Sequence, residues 1–197
     1  WVVVFQVFTS ATAGYVFAKL NFQGRDRIFT LYLATMMIPF HVTVITNFLQ
    51  MSIYGLVNTL WSLMLPASVS AFGTFLMRQF FVTVPNELIE AAKIDGCNIM
   101  QTLVLVLVPM LWPAMVSAGL FQFMWSSNDF MGPLLYVNSP ARYPATLFVR
   151  MSMDADTGFA WNRVMAVSLI SIIPSLVVFF LAQRQFMDGV TAGAVKG

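Results

Sequence analysis

Two stretches of this chain lack every ordinary charge: no Asp, Glu, Lys or Arg occurs between Arg27 and Arg78, or between Asp95 and Asp129. A soluble domain carries about 25% charged residues, whereas this chain has 9%, with 59% hydrophobic residues. So few charges cannot cover a water-soluble globule of this size, and a bilayer is the solvent the chain is built for. The expected fold is all-α: a polytopic membrane helix bundle forming one transmembrane domain over residues 1–197.

A membrane helix needs about 20 mostly apolar residues. Five segments meet or approach this, roughly 1–18, 28–48, 58–77, 102–125 and 164–183. Several contain proline, at Pro39, Pro66, Pro109, Pro113 and Pro174, which neighbouring helices make tolerable inside a membrane. The chain opens on Trp1 without a signal-peptide layout and reads as a piece of a longer protein. Lys19, Arg25, Arg27, Arg78, Lys93, Arg184 and Lys196 fall on one side of the membrane, and Arg142, Arg150 and Arg163 on the other. The positive-inside rule then places the 19–27 loop, the segment around Lys93 and the C-terminus in the cytoplasm. The segment 127–162, with Asp129, Pro133, Pro140, Pro144, Gly158 and Trp161, becomes an external loop.

Between the two chargeless stretches lies "NELIEAAKIDGC", residues 86–97, carrying Glu87, Glu90, Lys93 and Asp95. Pro85 suits the first position of a helix, Glu87 its positive end, and Gly96 a left-handed cap. The pattern predicts a short helix over 85–95 and a corner, with a second helix starting near Asn98. On a helical wheel, Leu88, Ile89, Ala91 and Ala92 share one side, and Asn86, Glu87, Glu90 and Lys93 the other. Glu90 and Lys93 can pair at i,i+3. Ile94 is out of place among the acids, where a docking knob would be. A helix lying on the membrane surface is one reading, but such helices are rich in Lys and Arg. Three acids and one base suit a cytosolic protein partner better.

Glu90-Ala91-Ala92, then Gly96 after three residues, then Val106, Val108 and Pro109 resemble the "EAA" signature of permease subunits of binding-protein-dependent ABC importers, E-A-A-x3-G-x9-I-x-L-P. Val106 and Val108 depart mildly from it. "TFLMRQFF" (74–81), "NDFMGPLLY" (128–136) and "FMDGVTAGAVKG" (186–197) resemble the carbohydrate branch, in particular the six-span maltose-permease type. Thr46 and Ser127 differ from the proline and tryptophan common in relatives. The resemblance implies one further span ahead of Trp1. It implies a sister permease subunit in a heterodimer, two cytosolic ATPase subunits and an external solute-binding protein. It also implies a bacterial or archaeal inner membrane. ATP and Mg²⁺ would be bound by those partners, since the chain has no phosphate loop; no cofactor, metal site or catalytic residue is expected in it.

The resemblance makes 85–96 a coupling helix that fits a cleft on the ATPase. Glu90 becomes its polar anchor, Ala91 and Ala92 its close-packing residues, and Gly96 its corner, with Glu87 and Asp95 alongside. Ile94 is added here as a hydrophobic plug. In the tail, Gly189, Gly193 and Lys196 fit either a frayed end or, by the resemblance, contact with the ATPase. Asn128 and Asp129 fit either a helix-end cap or contact with the binding protein. His41, Thr43, Thr46 and Asn47 give the second span a polar half that either bridges helices or lines a pathway. Gln122 and Trp125 could meet a sugar by hydrogen bonding and stacking. Sugars are the expected cargo, with glycerol phosphate the alternative. A secondary transporter or channel is the competing class, although it would usually hold ionisable residues in its spans, where only His41 occurs.

Overall fold

The computed structural model describes residues 1–153 and 161–194, with side chains through Gln185. Among the described residues the regular structure is helical throughout. The apolar run at the start forms α1, Val2–Lys19. The next helices are α2, Arg25–Ala34, and α3, Phe40–Ile53. The third span comprises α4, Trp61–Ala67, and α5, Ala71–Thr83. Next come α6, Asn86–Ile94, then α7, Ile99–Met110, and α8, Trp112–Asn128. Two short helices follow, α9, Met131–Tyr136, and α10, Ala145–Met151. The last helix, α11, is Trp161–Ala194.

Helices lie over all five expected spans, but not all as single rods. Val2–Lys19 and Trp161–Gln185 are each long and apolar enough to cross alone, and the count reaches five if each bent pair is one span. The 28–48 segment is broken: α2 and a 3₁₀ turn meet α3 at 96°. Pro39 is the N-cap of α3, and a residue that restrains its predecessor and lacks an N–H ends a helix there. The 102–125 segment is bent by 83° at Leu111, between Pro109 and Pro113. Residues Thr102–Leu107 just before this bend take a π-helical form, a usual companion of kinks. The 58–77 segment starts later than expected and interrupts at Ser68–Ser70, where Ser70 caps α5 by accepting from the Gly73 amide. At about 1.5 Å per residue, the Trp61–Thr83 run is still long enough for a bilayer core of about 30 Å.

α1 packs mainly on α5 and α8, and α11 packs on α8. The α1–α5 contact depends on small residues: a Cβ at Gly14 would lie 2.9 Å from Met77 Cβ and from the Arg78 backbone N. Such close approach substitutes for a hydrophobic driving force that lipid does not supply. Gln6 and Ser10 are buried in the same seam, joined by a 3.0 Å hydrogen bond. Arg78 is not left bare. Its guanidinium stacks 4.3 Å from the Phe29 ring centroid and donates to the Phe17 carbonyl at 3.3 Å.

One core cluster joins Ala11 and Tyr15 of α1 and Met77 and Phe81 of α5 to Leu103, Leu107 and Ala118. A second joins Met51, Tyr136 and Val137. The rest of the apolar surface faces outward, as on Val42, Ile45 and Ile53 of α3 and Leu169 and Leu181 of α11.

Candidate functional site: the corner between α5 and α7

The corner begins where α5 ends. Val84 is buried, and Pro85 is extended, with φ −60° and ψ 141°. Pro85 is therefore the N-cap of α6, one residue before the helical position expected for it, and the helix is nine residues long. Lys19, at the end of α1, fastens this start. Its Nζ donates to the Val84 carbonyl at 2.6 Å and to Asn86 Oδ1 at 2.8 Å. In the sequence alone Lys19 counts only as a topology charge. Its signal was a lone cation closing an apolar span.

The other end of α6 is a Schellman cap. Gly96 has φ +85°, its amide donates to the Lys93 carbonyl at 3.0 Å, and the Cys97 amide donates to the Ala92 carbonyl at 2.9 Å. These two bonds define the motif, and glycine is favoured there because a Cβ resists the left-handed region. The corner expected at Gly96 and the helix start expected near Asn98 are both present. Asn98 adds a reciprocal capping box, with Asn98 Oδ1 accepting from the Gln101 amide and Gln101 Oε1 from the Asn98 amide, both at 2.9 Å.

Ile89 and Ala92 are the buried residues of α6; Ile89 belongs to the cluster that contains Tyr15, Phe81 and Leu103. Leu88 and Ala91 do not join them. Both are exposed, so the expected four-residue packing side narrows to two. Residues 89 and 92 are three apart and share a stripe, whereas Ala91 lies about 100° round from Ala92. Glu87, Glu90, Ala91 and Ile94 make the outward face. Ile94 is 86% exposed, the highest value among the described large apolar residues. The Glu90–Lys93 pair does not form; Arg25–Asp26, at 3.0 Å, is the ion pair within bonding reach among the described residues. Both partners of the unformed pair are exposed, where such a pair contributes little. Asp95 is the exposed C-cap residue.

The other candidate residues sit away from this corner, towards the far end of α8. Gln122 donates to Ser126 Oγ at 3.0 Å, and Asn128 to the Met124 carbonyl at 2.7 Å. Asp129 Oδ1 accepts from the Gly132 amide at 3.2 Å, and its carbonyl accepts from Thr146 Oγ1 at 2.8 Å. Both Asn128 and Asp129 thus fit the capping reading. Trp125 is 78% exposed. Asn47 is half-buried, while His41 and Thr46 are exposed and Thr43 bonds back to the Phe40 carbonyl. None of this second-span set bridges helices among the described residues. Gly189 and Gly193 lie on α11, which continues to Ala194; Lys196 lies outside the described residues.

Among its described residues the 127–162 segment is not a plain loop but holds α9 and α10. Sequence reasoning missed its organiser, Asn58. Asn58 has φ +61°. Its Oδ1 accepts from the Asn138 and Ser139 amides, each at 3.1 Å, and its Nδ2 donates to Ser139 Oγ at 2.8 Å. Its amide donates to the Tyr136 carbonyl at 2.7 Å, and its carbonyl accepts from Arg142 Nη1. Burial, with the Asp129 carboxylate adding to it, raises the Tyr136 phenol above its ordinary pKa.

The chain is 32% identical over 196 residues to the arabinooligosaccharides transport system permease protein AraQ of Halalkalibacterium halodurans, covering 100% of this chain and 70% of that protein. It is 35% identical over 187 residues to the lactose transport system permease protein LacG of Rhizobium radiobacter, covering 95% and 68%. It is 31% identical over 190 residues to the sn-glycerol-3-phosphate transport system permease protein UgpE of Yersinia pestis, covering 95% and 67%. Its fold superposes on a chain of a bacterial ABC transporter involved in the import of the acidic polysaccharide alginate. The TM-score is 0.79 at 24% identity, covering 93% of this chain and 71% of that one. Residues 10–186 match the family described as "Binding-protein-dependent transport system inner membrane component". The helical membrane bundle with its charged corner therefore belongs to that family, and the chain is one of the inner membrane components of binding-protein-dependent transport systems.

Proposed function

We propose that this chain forms half of the translocation pathway of an ATP-driven importer and takes up force through α6. The carrying observation is the outward face of α6, where two acids and Ala91 surround an 86% exposed Ile94. A large apolar side chain on an otherwise polar, solvent-facing helix is what a partner's pocket would bury. The partner on that face is a cytosolic ATPase subunit, with Glu90 as polar anchor and Ile94 as plug. Two such subunits bind ATP and Mg²⁺. A sister permease subunit supplies the other half of the pathway, and an external binding protein delivers cargo. Gly189, Gly193 and Lys196 would add a second ATPase contact. Both α6 and the C-terminus then face the cytoplasm of a bacterial or archaeal cell.

The cargo proposed is a sugar, because the relatives with arabinooligosaccharides and lactose in their names match nearly the whole chain. The relative named for sn-glycerol-3-phosphate matches at 31% identity and keeps that solute as the second reading. Replacing Glu90 by Ala in the complete transporter should leave membrane insertion intact and abolish most uptake. Undiminished uptake in that variant overturns the docking role. The ligand retained by the cognate binding protein decides between sugar and glycerol phosphate.

A further inference from the structure

Between α1, α6 and the start of α7 lies a cavity of about 450 Å³, which α6 lines with Ile89 of its buried stripe and with Lys93. Its walls are of two kinds. Lys19, Lys93 and Asn98 are polar, and Leu20, Ile89 and Met100 are apolar. Lys93 makes no ion pair among the described residues and lines this space rather than meeting Glu90. Lys19 already donates to the Val84 carbonyl and Asn86 Oδ1, which leaves one of its three N–H groups. The capping box takes the Gln101 amide, so the first-turn amides of Ile99 and Met100 must find acceptors outside the helix. Two lysines and the start of α7 thus line this space beside an apolar wall, at the end of a membrane span.

We infer that this cavity holds the phosphate headgroup of an anionic phospholipid, with the root of an acyl chain along Leu20, Ile89 and Met100. An ammonium pair and free helix-start amides favour a phosphate oxyanion. The apolar wall favours a ligand that is half hydrocarbon, and basic pockets beside membrane helices are a recurring place for such headgroups. Lys19 spends two of its three donors on Val84 and Asn86, so Lys93 carries the selectivity for an anion. The acids do not block the site: Glu87 and Glu90 belong to the outward face. A lipid here would brace α6 from behind while a partner engages its front. The inference rests on membrane placement and the cavity and does not need the ATPase reading.

Cys97 also lines the cavity and reports on its occupancy. The complete transporter is placed in nanodiscs of phosphatidylcholine, with or without phosphatidylglycerol, and maleimide labelling is followed on the peptide containing Cys97. Phosphatidylglycerol should slow labelling by about fivefold, the weight of one lysine at an anionic surface. Inorganic phosphate in phosphatidylcholine discs should not slow it. Lys93→Gln should remove the protection, and Lys93→Arg should keep it. Equal labelling of the wild-type protein in both discs, or full protection in Lys93→Gln, overturns the site. Protection by inorganic phosphate alone overturns the lipid assignment in favour of a soluble anion. If Lys93→Gln fails to assemble, the wild-type and Lys93→Arg arms still decide.

Discussion

Asn58 and Gly96 both turn the chain through a positive φ, at +61° and +85°; Asn58 precedes α4, and Gly96 follows α6. At Asn58 the side chain does the holding, with bonds to Asn138 and Ser139, some 80 residues away. At Gly96 the holding is local, through two backbone bonds back into α6, and nothing lies within 4 Å of where a Cβ would be. The first corner is a clamp between distant segments. The second leaves the helix ahead of it with a free face. On the coupling role proposed for α6, the Gly96 corner would keep that helix open to contact while the Asn58 clamp holds the other end of the stretch closed.

The comparison breaks most sharply at Asn58. Asn58→Ala removes three side-chain hydrogen bonds and puts a Cβ residue without local hydrogen-bonding capacity at positive φ. At about 1 kcal/mol per bond, plus roughly 1 kcal/mol of backbone strain, stability should fall by about 4 kcal/mol. Thermal unfolding of the assembled transporter would show it. Asn58→Gly should recover only the strain. Labelling of Cys97 should be unchanged in both, because the cap at Gly96 is closed by bonds within its own helix. If Asn58→Ala unfolds at the wild-type temperature, the clamp is not a clamp.

Gly96→Ala is the milder counterpart. With open space around the site the cost is conformational only, roughly 1–2 kcal/mol. It should fall on the cap rather than on global stability. Loosening the Gly96 and Cys97 amide bonds should speed Cys97 labelling while leaving the unfolding temperature nearly unchanged. A large drop in unfolding temperature would mean that the inner corner, too, is bound into the distant fold.

Why one corner was legible in the sequence and the other was not follows from the same contrast. Gly96 is announced by its neighbours: an acid-rich amphipathic segment, Asp-Gly, and a helix-starting Asn98 two residues on. Every bond of that cap is made within six residues. Asn58 bonds to residues 136–142, and no local pattern distinguishes it from any turn asparagine. The spans were readable from hydropathy, but the bends at Ile38–Pro39 and Leu111 were not. Prolines marked where bending was allowed, and tertiary packing chose where it occurred. On α6, the wheel put Ile94 among the acids correctly. It spread the packing side too widely, because residue type does not reveal that the contact with α7 is only one stripe wide. Lys19 was invisible as a fastener because its partners, Val84 and Asn86, lie about 65 residues away.

The smallest effect on stability belongs to the residue with the sharpest proposed role. Ile94 is almost fully exposed, so Ile94→Ala should change unfolding by no more than about 0.5 kcal/mol. If its face is the ATPase contact, the same truncation empties a partner's pocket and should weaken capture of the ATPase subunit by about tenfold. Titration of the ATPase onto the permease pair in nanodiscs would measure this. Ile94→Leu, which keeps the volume, should restore most of the affinity. Unchanged affinity in Ile94→Ala would leave the exposed isoleucine without a docking role and return the function of this face to Glu90 and Ala91. A loss of affinity without a loss of stability is the signature expected of a lever, and Asn58→Ala should give the reverse pattern.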